Sequence, residues 1–99
     1  MTRRFIVMTD SDSKEIQESI TGSIKQSGAR WWHRLPQSWL IVDPKDHNVI
    51  WWRDRLREAP RETKGRVMVM EVSNPEAWAC YLPPDWHKWV REVWSNKET

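Results

Sequence analysis

Nine of the 99 side chains are tryptophans, at positions 31, 32, 39, 51, 52, 78, 86, 89 and 94. Burying an indole removes about 150–250 Å² of surface and stabilises by about 25 cal/mol per Å², so burial of all nine would contribute roughly 35–55 kcal/mol as an upper bound. A chain of this length is expected to build one domain, spanning 1–99, because separate cores arise in much longer chains; such a domain buries about 60–65% of its surface. Nine indoles exceed what one protomer is expected to enclose. The surplus is expected in an oligomer interface or on a binding surface, where tryptophan is enriched.

The longest apolar runs, such as Trp39-Leu40-Ile41-Val42, fall far short of the roughly 20 residues that span a bilayer, so no membrane partner is expected. Met1 to Met8 carries two arginines but reaches Asp10 and Asp12 without the apolar stretch or cleavage site of a signal peptide, so a cytoplasmic chain is the expectation. Cys80 is the single cysteine, which forbids an internal disulfide and a cysteine-based zinc cage. None of the three histidines, His33, His47 and His87, stands at a spacing that demands a metal.

Periodicity supplies the order of elements. Arg3 to Thr9, with its run Phe5-Ile6-Val7-Met8, predicts a central strand buried on both faces. Asp10-Ser11-Asp12-Ser13 supplies several N-cap candidates, with Glu15 three residues after Asp12 in a capping-box-like arrangement, and predicts a helix that begins near Ser13. Ile16, Ile20 and Ile24 give that helix an apolar stripe, and Gly28 stands at its C-cap position. Arg30 to Leu35 and Ser38 to Val42 predict a hairpin about Pro36-Gln37, with Trp32 and Trp39 as near neighbours across it. Asp43-Pro44 reads as N-cap and first turn of a second helix running to about Glu58, followed by a loop over 59–65 and a strand over Arg66 to Val72. After an irregular stretch over 74–84, Trp86, Trp89, Val90, Val93 and Trp94 mark an amphipathic C-terminal helix over about 84–95.

The order β-α-β-β-α-β with right-handed crossovers predicts an α+β fold, a ferredoxin-like sandwich with two helices on one face of a four-stranded antiparallel sheet and an additional C-terminal helix. The second face of that sheet needs a cover. The C-terminal helix or a second protomer is the expected one.

Three segments in this order carry a resemblance: Phe5-Ile6-Val7-Met8-Thr9-Asp10, then Trp31-Trp32-His33 with Ser38-Trp39-Leu40-Ile41, then Val67-Met68-Val69-Met70-Glu71-Val72. Together they resemble the SinR-like small proteins, grouped with the CRISPR-associated ferredoxin-like endoribonucleases. The likeness extends over Ala79 to Trp89 and so covers most of the chain. It implies a homodimer in which the aspartate ending the first strand, here Asp10, is the catalytic residue and pairs with its dimer mate around a divalent metal, Mg2+ or Mn2+. Thr9 departs from the tyrosine that the family commonly places before that aspartate.

A phosphodiesterase needs a hard cation held by carboxylates, waters and substrate phosphate, and Asp10 and Asp12 are the candidate metal ligands. Either could instead serve as a helix cap, since a helix N-terminus favours carboxylates. The net charge of +2 is modest, but ten of the sixteen cations are arginine, and between Arg53 and Arg66 six basic residues face three acidic ones. Arg34, Arg53, Arg55, Arg57, Arg61, Lys64 and Arg66 are the candidate nucleic-acid-binding residues, because the guanidinium fork suits phosphate; a solvated helix face laced with ion pairs is the competing explanation. His33 beside Arg34 is a candidate for RNA contact or proton transfer. Trp31 and Trp51 are the candidates for exposed base-stacking rings. The expected function is a dimer that binds RNA or DNA, with divalent-metal-dependent endoribonuclease or nuclease activity as its candidate chemistry and no small-molecule cofactor. The alternative is a catalytically inactive scaffold or interaction protein of the same fold.

Overall fold

In the computed structural model, which describes residues 2–57 and 66–96, four strands form one antiparallel sheet in the order β2-β3-β1-β4. The elements along the chain are β1 (Arg3–Thr9), α1 (Lys14–Ser27), β2 (Arg30–Trp32), β3 (Ser38–Asp43), α2 (Val49–Arg57), β4 (Val67–Glu71) and α3 (Pro84–Trp89), which continues into a π-helical turn (Val90–Trp94). The loop expected over 59–65 lies outside the described residues, as do Arg61 and Lys64.

Strand alternation divides the apolar residues between two faces. Phe5, Val7, Trp39 and Ile41 point to the first face, where Ile16, Ile20 and Ile24 of α1 and Trp52 and Leu56 of α2 close over them. The α1 stripe works as its spacing predicts, but Ser13, not Asp12, is the N-cap: its Oγ accepts from Ile16 N at 3.4 Å, while Asp12 stays exposed. Gly28 ends α1 at φ 82°, a left-handed conformation that strains any residue with a Cβ.

The second face is covered by the C-terminal segment. Trp32 and Val42 of the sheet pack against Val90 and Trp94, with Ile6, Leu40, Trp78, Leu82 and Trp89 around them. Four tryptophans, Trp32, Trp39, Trp52 and Trp94, are buried, and the other five are half-buried. Not all nine indoles are enclosed, and the five half-buried ones keep part of their surface exposed. One sheet separating two apolar clusters encloses more aromatic surface than a single core would.

Three local expectations are corrected. Trp32 and Trp39 lie on opposite faces, because Trp32 pairs with Leu40 in the register, which sets Trp39 one position out of phase. β2 ends at Trp32 rather than Leu35, as the turn closes early with Ser38 N donating to Leu35 O at 3.0 Å. Asp43 does not cap α2, which begins only at Val49. Its carboxylate is buried instead: Oδ2 accepts from Trp52 Nε1 and His47 Nδ1, both at 2.9 Å, and Oδ1 from Lys45 N at 2.8 Å. Asn48 takes the capping role, its Oδ1 accepting from Trp51 N at 2.9 Å.

Two arginines on β1 tie the fold together. Arg3 makes a two-pronged ion pair with Glu71 on β4, at 2.8 and 2.7 Å, and these hydrogen bonds hold the Glu71 carboxyl below its ordinary range. Arg4 is buried and donates to the carbonyls of Trp94 and Asn96, each at 2.6 Å, which pins the C-terminal segment to the second face. Among the described residues no helix is long and apolar enough to cross a membrane.

Candidate functional site

Asp10 sits where β1 leaves the sheet, in a turn closed by its neighbours. Thr9 N donates to Gln37 O, Gln37 Nε2 donates to Asp10 O at 3.3 Å, and Ser11 N donates to Thr9 Oγ1 at 3.2 Å. Ser13 N then donates to Ser11 Oγ, and Gln17 Nε2 from α1 donates to Ser11 O. The Asp10 carboxylate is free of these bonds, with 58% of its side chain exposed, and meets Arg66 instead: Oδ2 lies 3.4 Å from Nη1. Two residues singled out separately in the sequence are thus brought together. Asp12 is exposed in the same turn and has no hydrogen-bonding or ionic partner among the described residues.

These are hard oxygen donors of the kind Mg2+ or Mn2+ prefers. Among the described residues no group of three or more histidine, cysteine or acidic side chains is placed to hold an ion. A divalent cation on Asp10 would take its remaining ligands from water, substrate phosphate or a second copy, and would compete with Arg66.

The arginines divide by environment. Arg53 and Arg57 are exposed on α2, and both approach Asp54, at 2.9 and 3.8 Å. Arg55 is turned inward, donating to Ser23 O at 3.1 Å and lying over the Trp51 ring at 5.3 Å. That ring also stacks on His47, with centroids 3.5 Å apart and planes 3° from parallel. Trp51 is therefore occupied by its own neighbours, one helical turn before and one after, rather than held open for a base.

A second concentration of cations lies beside the β2–β3 turn. His33 stacks on Trp39 at 4.2 Å and 7°, and its Nδ1 bonds Ser38 O at 2.8 Å. Two clefts adjoin it. One, of about 400 Å³, runs along α1 and is walled by Lys14, Gln17, Glu18, Thr21 and Lys25. The other, of about 340 Å³, lies toward α3 and is walled by Trp31, Arg34, Asp85, Trp86 and Trp89. Lys25 Nζ stands 5.5 Å from the Trp31 ring centre, and the Arg34 guanidinium 6.0 Å from that of Trp86.

No family model, curated protein or solved structure matches this chain. The functional reading accordingly rests on the residues themselves.

Sequence periodicity singled out Arg34 and His33 but not the lysines that join them. Lys14 and Lys25 belong to a helix whose apolar stripe gave no reason to look at its polar side. The signal for His33 is register: with Trp32 opposite Leu40, the next residue faces Trp39. Asp43 was missed as a buried group because Asp-Pro is a common helix opening, and only the fold shows three donors converging on it.

Proposed function

We propose that the protein binds single-stranded nucleic acid as a homodimer. The observation that carries this reading is the pair of adjoining clefts at His33, one walled by lysines and the other by indoles with Arg34, and linked where Lys25 meets the Trp31 ring. Single strands are held by phosphate-neutralising cations alternating with rings on which bases stack, worth about 1–3 kcal/mol per base. Lys25 with Trp31 and Arg34 with Trp86 offer that alternation twice along one surface. Arg53 and Arg57 on α2 are further exposed cations, and Arg61 and Lys64 follow them in sequence.

The order β2-β3-β1-β4 with α1 and α2 on one face supports reading the fold as ferredoxin-like. Kinship with the SinR-like proteins is part of this reading and is carried by the sequence segments alone. The dimer is supported by β4, an edge strand with one paired neighbour, whose Met68 and Met70 are 54% and 51% exposed.

Binding of fluorescent single-stranded RNA and DNA, titrated across salt concentrations, tests the reading. Log affinity is expected to fall with log salt by about 0.7 per phosphate neutralised, and a combined Lys25→Ala and Arg34→Ala change is expected to weaken binding at least tenfold. A salt-independent affinity, or wild-type binding by that double variant, sinks it. Light scattering on the same samples should return twice the 12.0 kDa chain mass.

Metal-dependent cleavage is the second component, and the Arg66 contact favours binding without it. Any cleavage requiring Mg2+ or Mn2+ is expected to vanish in Asp10→Asn, which keeps the shape of the side chain and removes its charge. Asp12→Asn is expected to be mild. Full activity in Asp10→Asn would remove Asp10 from the site; a wild type that gains nothing from either metal would leave the scaffold function in place.

A further inference from the structure

The orientation of His33 has a chemical consequence beyond binding. Its Nδ1 lies 2.8 Å from a backbone carbonyl, which only accepts, so Nδ1 carries a hydrogen and in the neutral ring the lone pair belongs to Nε2. Nε2 has no partner among the described residues, nor is it among their buried, unsatisfied polar atoms. Stacking on Trp39, itself fully buried, fixes the plane of the ring. A histidine with one nitrogen pinned, its plane held and its other nitrogen open is arranged as a positioned base. It borders both clefts, at the point where a strand passing from one to the other must cross. His47 is also pinned through Nδ1, by Asp43, but neither of these clefts reaches it.

We propose that His33 is the general base of a metal-independent ribonuclease activity, its substrate being single-stranded RNA laid across the two clefts. The inference rests on the binding reading above and goes beyond it. In the step, His33 Nε2 takes the proton of a ribose 2′-hydroxyl, and that oxygen attacks the adjacent phosphorus. A bond forms between O2′ and phosphorus while the bond from phosphorus to the 5′-oxygen of the next nucleotide breaks. The departing oxygen takes a proton from water, and the proton on His33 returns to solvent. The products are a 2′,3′-cyclic phosphate and a 5′-hydroxyl, with no oxidant, reductant or metal required. Lys14 and Lys25 lie along the same cleft and supply positive charge for the growing negative charge on the phosphoryl oxygens. DNA lacks the attacking hydroxyl and is bound but not cut.

The test incubates the full chain with end-labelled single-stranded RNA, the matching DNA and an RNA carrying a single 2′-deoxy nucleotide at a mapped cleavage position, all in excess chelator. Binding is measured on the same samples. Cleavage of RNA alone is expected, with cyclic phosphate ends and protection at the deoxy position. His33→Asn, whose side-chain amide can still donate to Ser38 O, is expected to lose at least 100-fold in rate, within the range general-base catalysis supplies and far more than any loss of affinity from its place in the clefts. Circular dichroism on this variant and on His33→Gln verifies that the fold is kept. No cleavage in chelator despite tight binding, equal cutting of DNA, or wild-type rates in both folded His33 variants would overturn the assignment while leaving the binding surface intact. Failure to bind RNA at all removes both readings.

Discussion

Replacing Trp52 with alanine is expected to cost about 3–5 kcal/mol, a large share of the 5–15 kcal/mol that holds a domain of this kind together. Trp52 is fully buried where α2 meets the sheet, with its ring centre 6.1 Å from that of Phe5. The change removes an indole from the first cluster and also strips Asp43 Oδ2 of a donor. The two losses separate experimentally. Trp52→Phe keeps a six-membered ring and loses the five-membered one with its N–H, so it should cost less than the alanine change but at least the penalty of about 1–3 kcal/mol for a buried acceptor left short. Urea unfolding of the three proteins gives both numbers. A loss below about 1 kcal/mol for Trp52→Ala would show that α2 does not anchor the first face.

The second large effect is expected at Arg4. Its guanidinium is buried, burial pulls its pKa below the ordinary arginine value, and it donates to the carbonyls of Trp94 and Asn96. Hydrogen bonds from a charged donor contribute about 1.5–3 kcal/mol each, so Arg4→Ala is expected to cost at least about 2 kcal/mol and to loosen the C-terminal segment selectively. Limited proteolysis should then cut first within 74–96, with the sheet and its first face still protected. Arg4→Met restores the apolar stem without the donors and should recover only part of the loss. Uniform protection of the C-terminal segment in Arg4→Ala would show that apolar packing alone holds it.

Much of this was readable from sequence, and the failures have physical causes. The Ile16, Ile20, Ile24 stripe and the Gly28 cap placed α1 because helix period and capping are local properties. The cover on the second face was legible from Trp86 to Trp94 for the same reason. Asp43 and Trp39 were misread because their partners lie on other elements: a carboxylate that looks like a cap from its neighbours is a buried acceptor once Trp52 and His47 reach it. That not all nine tryptophans are enclosed was legible from chain length, but their division between two faces was not, because strand register sets it. Among candidate site residues, Asp10 and Arg66 were each legible alone, but their contact was not, since 56 positions separate them in sequence. The lysines flanking His33 carried no pattern at all.

The bond from Arg4 to Trp94 spans 90 positions, linking β1 to the π-helical turn. On the ribosome β1 therefore emerges well before the carbonyl that its arginine meets. Until the segment over 84–96 has followed, the second face of the sheet, with Ile6, Leu40 and Val42, has no cover of its own. Covering that face is left to a segment synthesised after all four strands.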